Sequence, residues 1–236
     1  MKKTILLLAL FGLIVGLTSC QKPEEATISK YFQAMKHDDK ETMAAMAIEA
    51  KTIKFTNFKI VKIEPGTPTP LELPNLVTQL NNLDQKKKDQ LQIAQNKNDD
   101  YEALLDELGS KKTPQLTEAE NAAKAEKEKF LELSKEYSLM QKKIEIEKRI
   151  ITASTSVDSE FELYTGESVV SRATVAITLE SGETKDYIFI LRKDTLKTEG
   201  QNRPRVGRLV ILKMDTPEEI DKAPAADTPA ATEPQQ

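Results

Sequence analysis

Two side chains in this 236-residue chain occur once each, and both are types that chemistry uses: Cys20 and His37. A cysteine works as a nucleophile when an imidazole takes its proton, and a protein zinc site needs several thiolate or imidazole donors converging on one point. His37 stands in the polar run His37-Asp38-Asp39 between two short apolar-periodic stretches, a capping or surface position. No Ser-His or Cys-His nucleophile system and no histidine-based metal cluster assembles around it. Asp38 and Asp39 could hold a cation weakly, but an aspartate just before a helical stretch reads first as an N-cap. Arg203, Arg205 and Arg208 cluster beside the last apolar run and could meet an anionic head group or glycan. Charge at that place also keeps a sheet edge from pairing with another chain, which is the commoner use. The sequence nominates no catalytic residue, no metal ligand and no cofactor.

Cys20 carries a different chemistry. Lys2 and Lys3 form a basic start, Ile5 to Leu17 an uninterrupted apolar stretch of 13 residues, and Leu17-Thr18-Ser19 a small-residue cleavage site. In that order these parts predict a cleavable export signal over 1–19, and the stretch is shorter than the about 20 residues a membrane-spanning helix needs. Leu17-Thr-Ser-Cys20 also resembles the bacterial lipobox. The resemblance implies that the Cys20 sulfur takes a diacylglycerol, that the signal is cut before it, and that the new amine is acylated. Two or three acyl chains anchor stably where one is marginal. With Gln21 and not aspartate next, the resemblance points to the outer membrane, facing the periplasm.

Removal of the signal leaves 217 residues, room for one ordinary domain and an appendage. The formal charge of −4 includes Lys2 and Lys3 and no acid from the signal, so the exported part stands near −6. That charge argues against nucleic acid as a partner. A single cysteine excludes internal disulfides. With no tryptophan and 31% charged residues, the core must be small and much of the chain solvated.

Periodicity divides the exported chain. In the first part of an α+β domain, 20–63, Ile28, Tyr31, Phe32 and Met35, then Met43, Met46 and Ala47, recur at helical spacing and predict two short amphipathic helices. Ile53 and Phe55, then Phe58 and Ile60, alternate as a strand whose phase slips near Thr56-Asn57, the mark of a β-bulge. A proline-rich linker over 64–72 follows. Residues 73–151 predict a helical coiled-coil hairpin. Its second half keeps a strict heptad through Leu116, Ala119, Ala123, Glu126, Phe130, Leu133, Tyr137, Met140, Ile144, Glu147 and Ile151. Its first half starts with Leu73, Leu76, Leu80 and Leu83 and resumes, after a four-residue stutter through Lys87, as Leu91, Ala94, Asn98, Tyr101, Leu105 and Leu108. Gly109 and Thr113-Pro114 supply a helix end and a new start, so the halves fold back antiparallel, each about 50 Å long. From 152 to 215 period two returns: Val157, Ser159, Phe161 and Leu163, then Ala173 to Leu179, Tyr187 to Leu191 and Arg205 to Met214 predict an antiparallel meander. Residues 216–236, rich in Pro, Ala and Thr, predict a tail without fixed structure.

The fold class expected is therefore α+β, with N-terminal helices packed on a curved, cone-like antiparallel sheet interrupted by a long antiparallel helical hairpin. Ile28-Ser-Lys-Tyr-Phe-Gln-Ala-Met35, the His37-Asp38-Asp39 turn and Gly207-Arg-Leu-Val-Ile-Leu-Lys-Met214 resemble the nuclear-transport-factor-2-like (cystatin-like) fold, over about Glu24–Ile63 and Val157–Met214. The hairpin departs from that family, which has a short connection there. Relatives such as the ketosteroid isomerases use a buried aspartate with a tyrosine, and that resemblance would nominate Asp158 with Tyr164 or Tyr187. Asp158, however, alternates out of phase with the apolar face and reads as exposed. The layout is also similar to the adaptor proteins of efflux pumps, but this chain is short and lacks two matched glycine-rich half-motifs. The function expected is that of a non-enzymatic cell-envelope lipoprotein, held by the membrane through Cys20 and using the hairpin for a protein partner or self-association. The alternative is a small-ligand-binding, or catalytic, domain with a pocket between helices and sheet.

Overall fold

In the computed structural model, residues 22–222 are described, apart from 110, 112, 199, 201 and 202. The export signal, Cys20 and the chain after 222 lie outside the described residues. The fold is α+β, a curled antiparallel sheet with helices and a long helical hairpin. Its described residues divide into two compact units: a sheet unit of 22–69, Ile150–Val157 and 166–222, and a hairpin unit of Pro70–Arg149 and Asp158–Thr165.

In the sheet unit, α1 (Pro23–Lys36) starts with proline in its first turn and two glutamates where the helix dipole favours acid. Asp38 takes a left-handed conformation in the turn (φ 51°), and Asp39 caps α2 (Lys40–Met46), its carboxylate accepting from the Thr42 amide at 2.9 Å and hydroxyl at 2.6 Å. These bonds hold the Asp39 carboxyl below its ordinary value. His37 is exposed. The helices bury Ile28, Tyr31, Phe32, Met35, Met43 and Met46 against the sheet, each at the position its period predicts.

Among the described residues the sheet has six strands: β1 (Phe55–Glu64), β2 (Pro68–Pro70), β3 (Tyr164–Leu179), β4 (Thr184–Thr198), β5 (Arg205–Val206) and β6 (Val210–Asp215). Their order is β1-β3-β4-β5, with β2 also on β3 and β6 also on β4. β1 runs antiparallel to β3 with register shifts between Phe55 and Asn57 and between Ile60 and Lys62. The first is the expected bulge; the second is its counterpart five residues on. Together they turn Phe55, Phe58, Ile60 and Ile63 to the helices and Lys62 to solvent.

Three expectations need correction. The linker over 64–72 is in part sheet: Pro68–Pro70 pairs with β3, Gly66 lies where a Cβ would overlap the Val170 backbone, and Leu71 is buried. The alternating run Val157–Leu163 is not a strand. Ser156 ends the preceding helix in a left-handed conformation (φ 59°), Glu160 adopts another (φ 53°), and Phe161–Leu163 form a 3-10 turn before β3 begins. Two left-handed residues four apart break any extended run, and Leu163 is exposed. The segment after Thr216 opens with a six-residue helix, α5 (Pro217–Lys222). Thr216 and Glu219 form its capping box, the Thr216 amide and hydroxyl donating to the Glu219 carboxylate at 3.0 and 3.1 Å.

In the hairpin unit, α3 (Leu73–Leu108) ends at Gly109 (φ 64°), and α4 (Pro114–Thr155) begins after Thr113, whose hydroxyl accepts from the Leu116 amide at 3.2 Å. That is the glycine stop and the Thr-Pro start read from the sequence. The last turn of α4, from Ile150, belongs to the sheet unit.

Candidate functional site

The residues nominated for the hairpin seam are brought together in two antiparallel arms. Gln90 on α3 donates to the Glu126 backbone carbonyl at 3.2 Å and carboxylate at 2.7 Å on α4; three residues earlier, the Lys87 ammonium stands 3.9 Å over the Tyr137 ring. Moving back along α3 moves forward along α4, as antiparallel arms require. On α4, Leu116 and Ile144 are buried, and Phe130, Leu133, Tyr137 and Met140 are half-buried at their heptad positions. Ile151 and the acid Glu147 are buried at theirs.

On α3, Leu76, Leu80, Leu83, Tyr101, Leu105 and Leu108 are half-buried as expected, but Leu91 is exposed. The half-buried positions between Leu83 and Ala94 are Asp84, Lys87 and Gln90, and of these Lys87 and Gln90 reach across to α4. Leu73, Leu80, Lys87, Ala94, Tyr101 and Leu108 therefore form one unbroken seven-residue series, with Leu76, Leu83 and Gln90 as its companion. The stutter inferred from sequence is absent. Apolarity alone moves the seam to Leu91, whereas a lysine stem over a ring and an amide bonded across the seam keep the phase.

The seam is thinly covered. Among the described residues, none between 74 and 115, and none between 117 and 143, is buried. Leu91, Ile93, Leu131, Leu139 and Ile146 are 39–59% exposed. Charge stabilises the outer faces: Asp84 with Lys88 at 2.6 Å and Glu120 with Lys124 at 2.5 Å are acid-before-base pairs at four-residue spacing. Lys88 holds the Asp84 carboxyl below its ordinary value, and Lys129, with Gln90, does the same for Glu126.

A cleft of about 200 Å³ lies within the same unit, at the start of α3. Leu73, Pro74 and Val77 form one wall, Phe161, Glu162 and Tyr164 another. Lys148 completes it, its ammonium 5.3 Å from the Phe161 ring centre and 4.0 Å from the Glu162 carboxylate.

The space between α1, α2 and the sheet is filled. Phe32 stacks on Phe58 (4.1 Å, 14°) and meets Phe55 at 5.0 Å and Phe189 at 5.6 Å, while Tyr31 meets Phe189 edge-on at 6.4 Å. The Tyr31 hydroxyl donates to the Lys51 carbonyl at 3.0 Å and accepts from its amide at 2.9 Å; burial raises its pKa above 10.0. Asp158 is exposed, Tyr164 and Tyr187 half-buried.

Arg208 is occupied in the fold, donating to the Ala45 carbonyl on α2 and the Ala153 carbonyl on α4, both at 2.9 Å. A guanidinium there serves two helix C-termini, where the dipole favours cations. Sequence reading missed the node beside it. Ser154 accepts from the Asp194 amide at 3.0 Å and donates to the Arg208 carbonyl at 2.9 Å; the buried Arg192 donates to the Asp194 carboxylate at 2.7 Å. The signal was Arg192-Lys-Asp194, a base and an acid two apart on the face that also carries Ile188, Ile190 and Leu196.

Among the described residues, no group of three or more His, Cys, Asp or Glu side chains could hold a metal ion, and no helix is long and apolar enough to cross a membrane. In comparisons with family models, curated proteins and solved structures, the chain matches none.

Proposed function

We propose that this protein is a non-enzymatic, membrane-tethered lipoprotein of the cell envelope that engages another protein chain through its helical hairpin. The observation that carries this reading is the thinly covered seam: two arms of 36 and 42 residues with no buried residue through their middle and large apolar side chains on their outer faces. A domain core covers its apolar stripe, and an interaction surface leaves one for its partner. The packed interior of the sheet unit weighs against the alternative, a pocket between helices and sheet. The tether rests on the lipobox at Leu17–Cys20, which implies attachment to the outer membrane.

Affinity purification of the full-length protein from gently solubilised envelopes tests the arm. A partner recovered with the natural chain and lost with Leu91→Glu combined with Leu131→Glu supports it; retention by that variant, with helicity unchanged, contradicts it.

A second reading rests on the cleft lined by Leu73, Val77, Lys148, Phe161, Glu162 and Tyr164, an apolar site whose one cation faces one carboxylate, which suits a small uncharged amphipathic molecule. At about 200 Å³ it falls below the roughly 300–1,000 Å³ of common ligand sites. Native mass spectrometry of the purified chain would reveal such a molecule, and Val77→Trp would exclude it.

A further inference from the structure

Charge is distributed unevenly along the arms. Residues 99–120, around the hairpin turn, hold seven acids and two lysines, net −5; residues 139–151, toward the other end of α4, hold four bases and two acids, net +2. Leu91 and Leu131 stand twenty residues on either side of Lys111 in the turn, so they share one level, about 30 Å from it. Both are exposed. The same distance beyond that level ends at residues 71 and 151. Each acidic turn is thus as far from the Leu91–Leu131 level on one side as the basic stretch is on the other. Leu139 and Ile146, seven apart on one helical face and 59% and 46% exposed, flank Lys142 and Lys143.

We propose that the hairpin's partner is a second copy of this chain, laid side by side and antiparallel about a two-fold axis at the level of Leu91 and Leu131, with each acidic turn against the other copy's Lys142–Lys143 stretch. The inference rests on the interaction-arm reading and names its partner. A two-fold axis there joins the apolar residues of both copies at the centre and satisfies both charged ends at once. A parallel pair would instead place one −5 segment against another, a like-charge contact that disfavours it. By the same symmetry, Glu102 of one copy falls level with Lys142 of the other.

The test is cross-linking of the lipidated, full-length protein in its own membrane, where acylation blocks the sulfur of the chain's single cysteine. A bifunctional maleimide should join Leu91→Cys to itself, and should join Glu102→Cys to Lys142→Cys in co-expressed copies with different tags. Lys142→Glu with Lys143→Glu should abolish the Leu91→Cys product, and adding Glu102→Lys with Asp106→Lys in the same chain should restore it. Raised salt should weaken it, since exposed charges are screened within about 8 Å at physiological ionic strength. Self-linking of Glu102→Cys would overturn the antiparallel arrangement, and absence of every linked species with helicity intact would overturn the dimer. Partner recovery lost on Leu91→Glu with Leu131→Glu, but without any self-linked product, would remove the second copy and leave the interaction arm standing. Loss of both would remove the arm reading as well.

Discussion

At the residue scale, the sheet unit depends on a few side chains that do two things at once. Arg208 holds the last carbonyls of two helices, and because a lysine presents a point charge and not a fork, Arg208→Lys should recover only part of what Arg208→Ala loses. Arg208→Ala is expected to cost about 1–3 kcal/mol in urea unfolding of the purified chain. Tyr31→Phe removes a hydroxyl that both donates to and accepts from Lys51, and should cost a similar amount of about 1–3 kcal/mol. Phe32→Ala empties the centre of a cluster of four phenylalanines and should cost about 3–5 kcal/mol, the largest of the three. The residues legible in sequence were those whose role follows from local chemistry: Asp39 before α2, Thr113-Pro114 before α4, Gly109 after α3. Arg208 was read as a surface charge because its acceptors, Ala45 and Ala153, lie 163 and 55 positions away and no local pattern announces them. Thr216-Pro-Glu-Glu219 was a readable capping box hidden by the composition around it.

At the element scale, period decided what could be read. The helices α1, α2 and α4 and the core strand Ala173–Leu179 carry their burial in their spacing, and β1 announced one of its two bulges by a slip of phase. The run Val157–Leu163 alternates equally well in letters, yet left-handed backbone at Ser156 and Glu160 is not encoded by hydropathy. The same limit misplaced the seam at Leu91, since Lys87 and Gln90 count as polar on any scale. Their cost in stability gives a prediction. Replacing the bonded pair with Gln90→Leu and Glu126→Leu should raise the hairpin's thermal midpoint, followed by circular dichroism, by the equivalent of about 1–3 kcal/mol and weaken the fixing of register. Acid should act the other way. The folded Glu126 and Asp84 carboxyls lie below their free values of 4.5 and 3.8, so their bonds stabilise fully above those values and are lost as pH falls through the lower, folded ones. The thermal midpoint of the hairpin should therefore fall on acidification below pH 4.5, and Glu126→Gln with Asp84→Asn should reduce that dependence.

At the scale of the whole molecule, the proposed role joins an address to a surface. Cys20 is separated from the first helical residue, Pro23, by Gln21 and Lys22 alone, so a lipid on Cys20 would hold α1 within a few residues of the bilayer. The natural chain should incorporate labelled palmitate and partition with membranes, and Cys20→Ser should do neither. The surface is the hairpin, and its function is the central claim. The most direct measurement is photo-cross-linking of the lipidated protein in intact cells, with a reactive amino acid placed singly at Leu91, Leu131 and Leu139 on the arms and at Val61 and Val206 on the sheet unit, all exposed. Discrete protein adducts from the three arm positions, and none from Val61 or Val206, are the predicted result; adducts confined to the two sheet positions would contradict it.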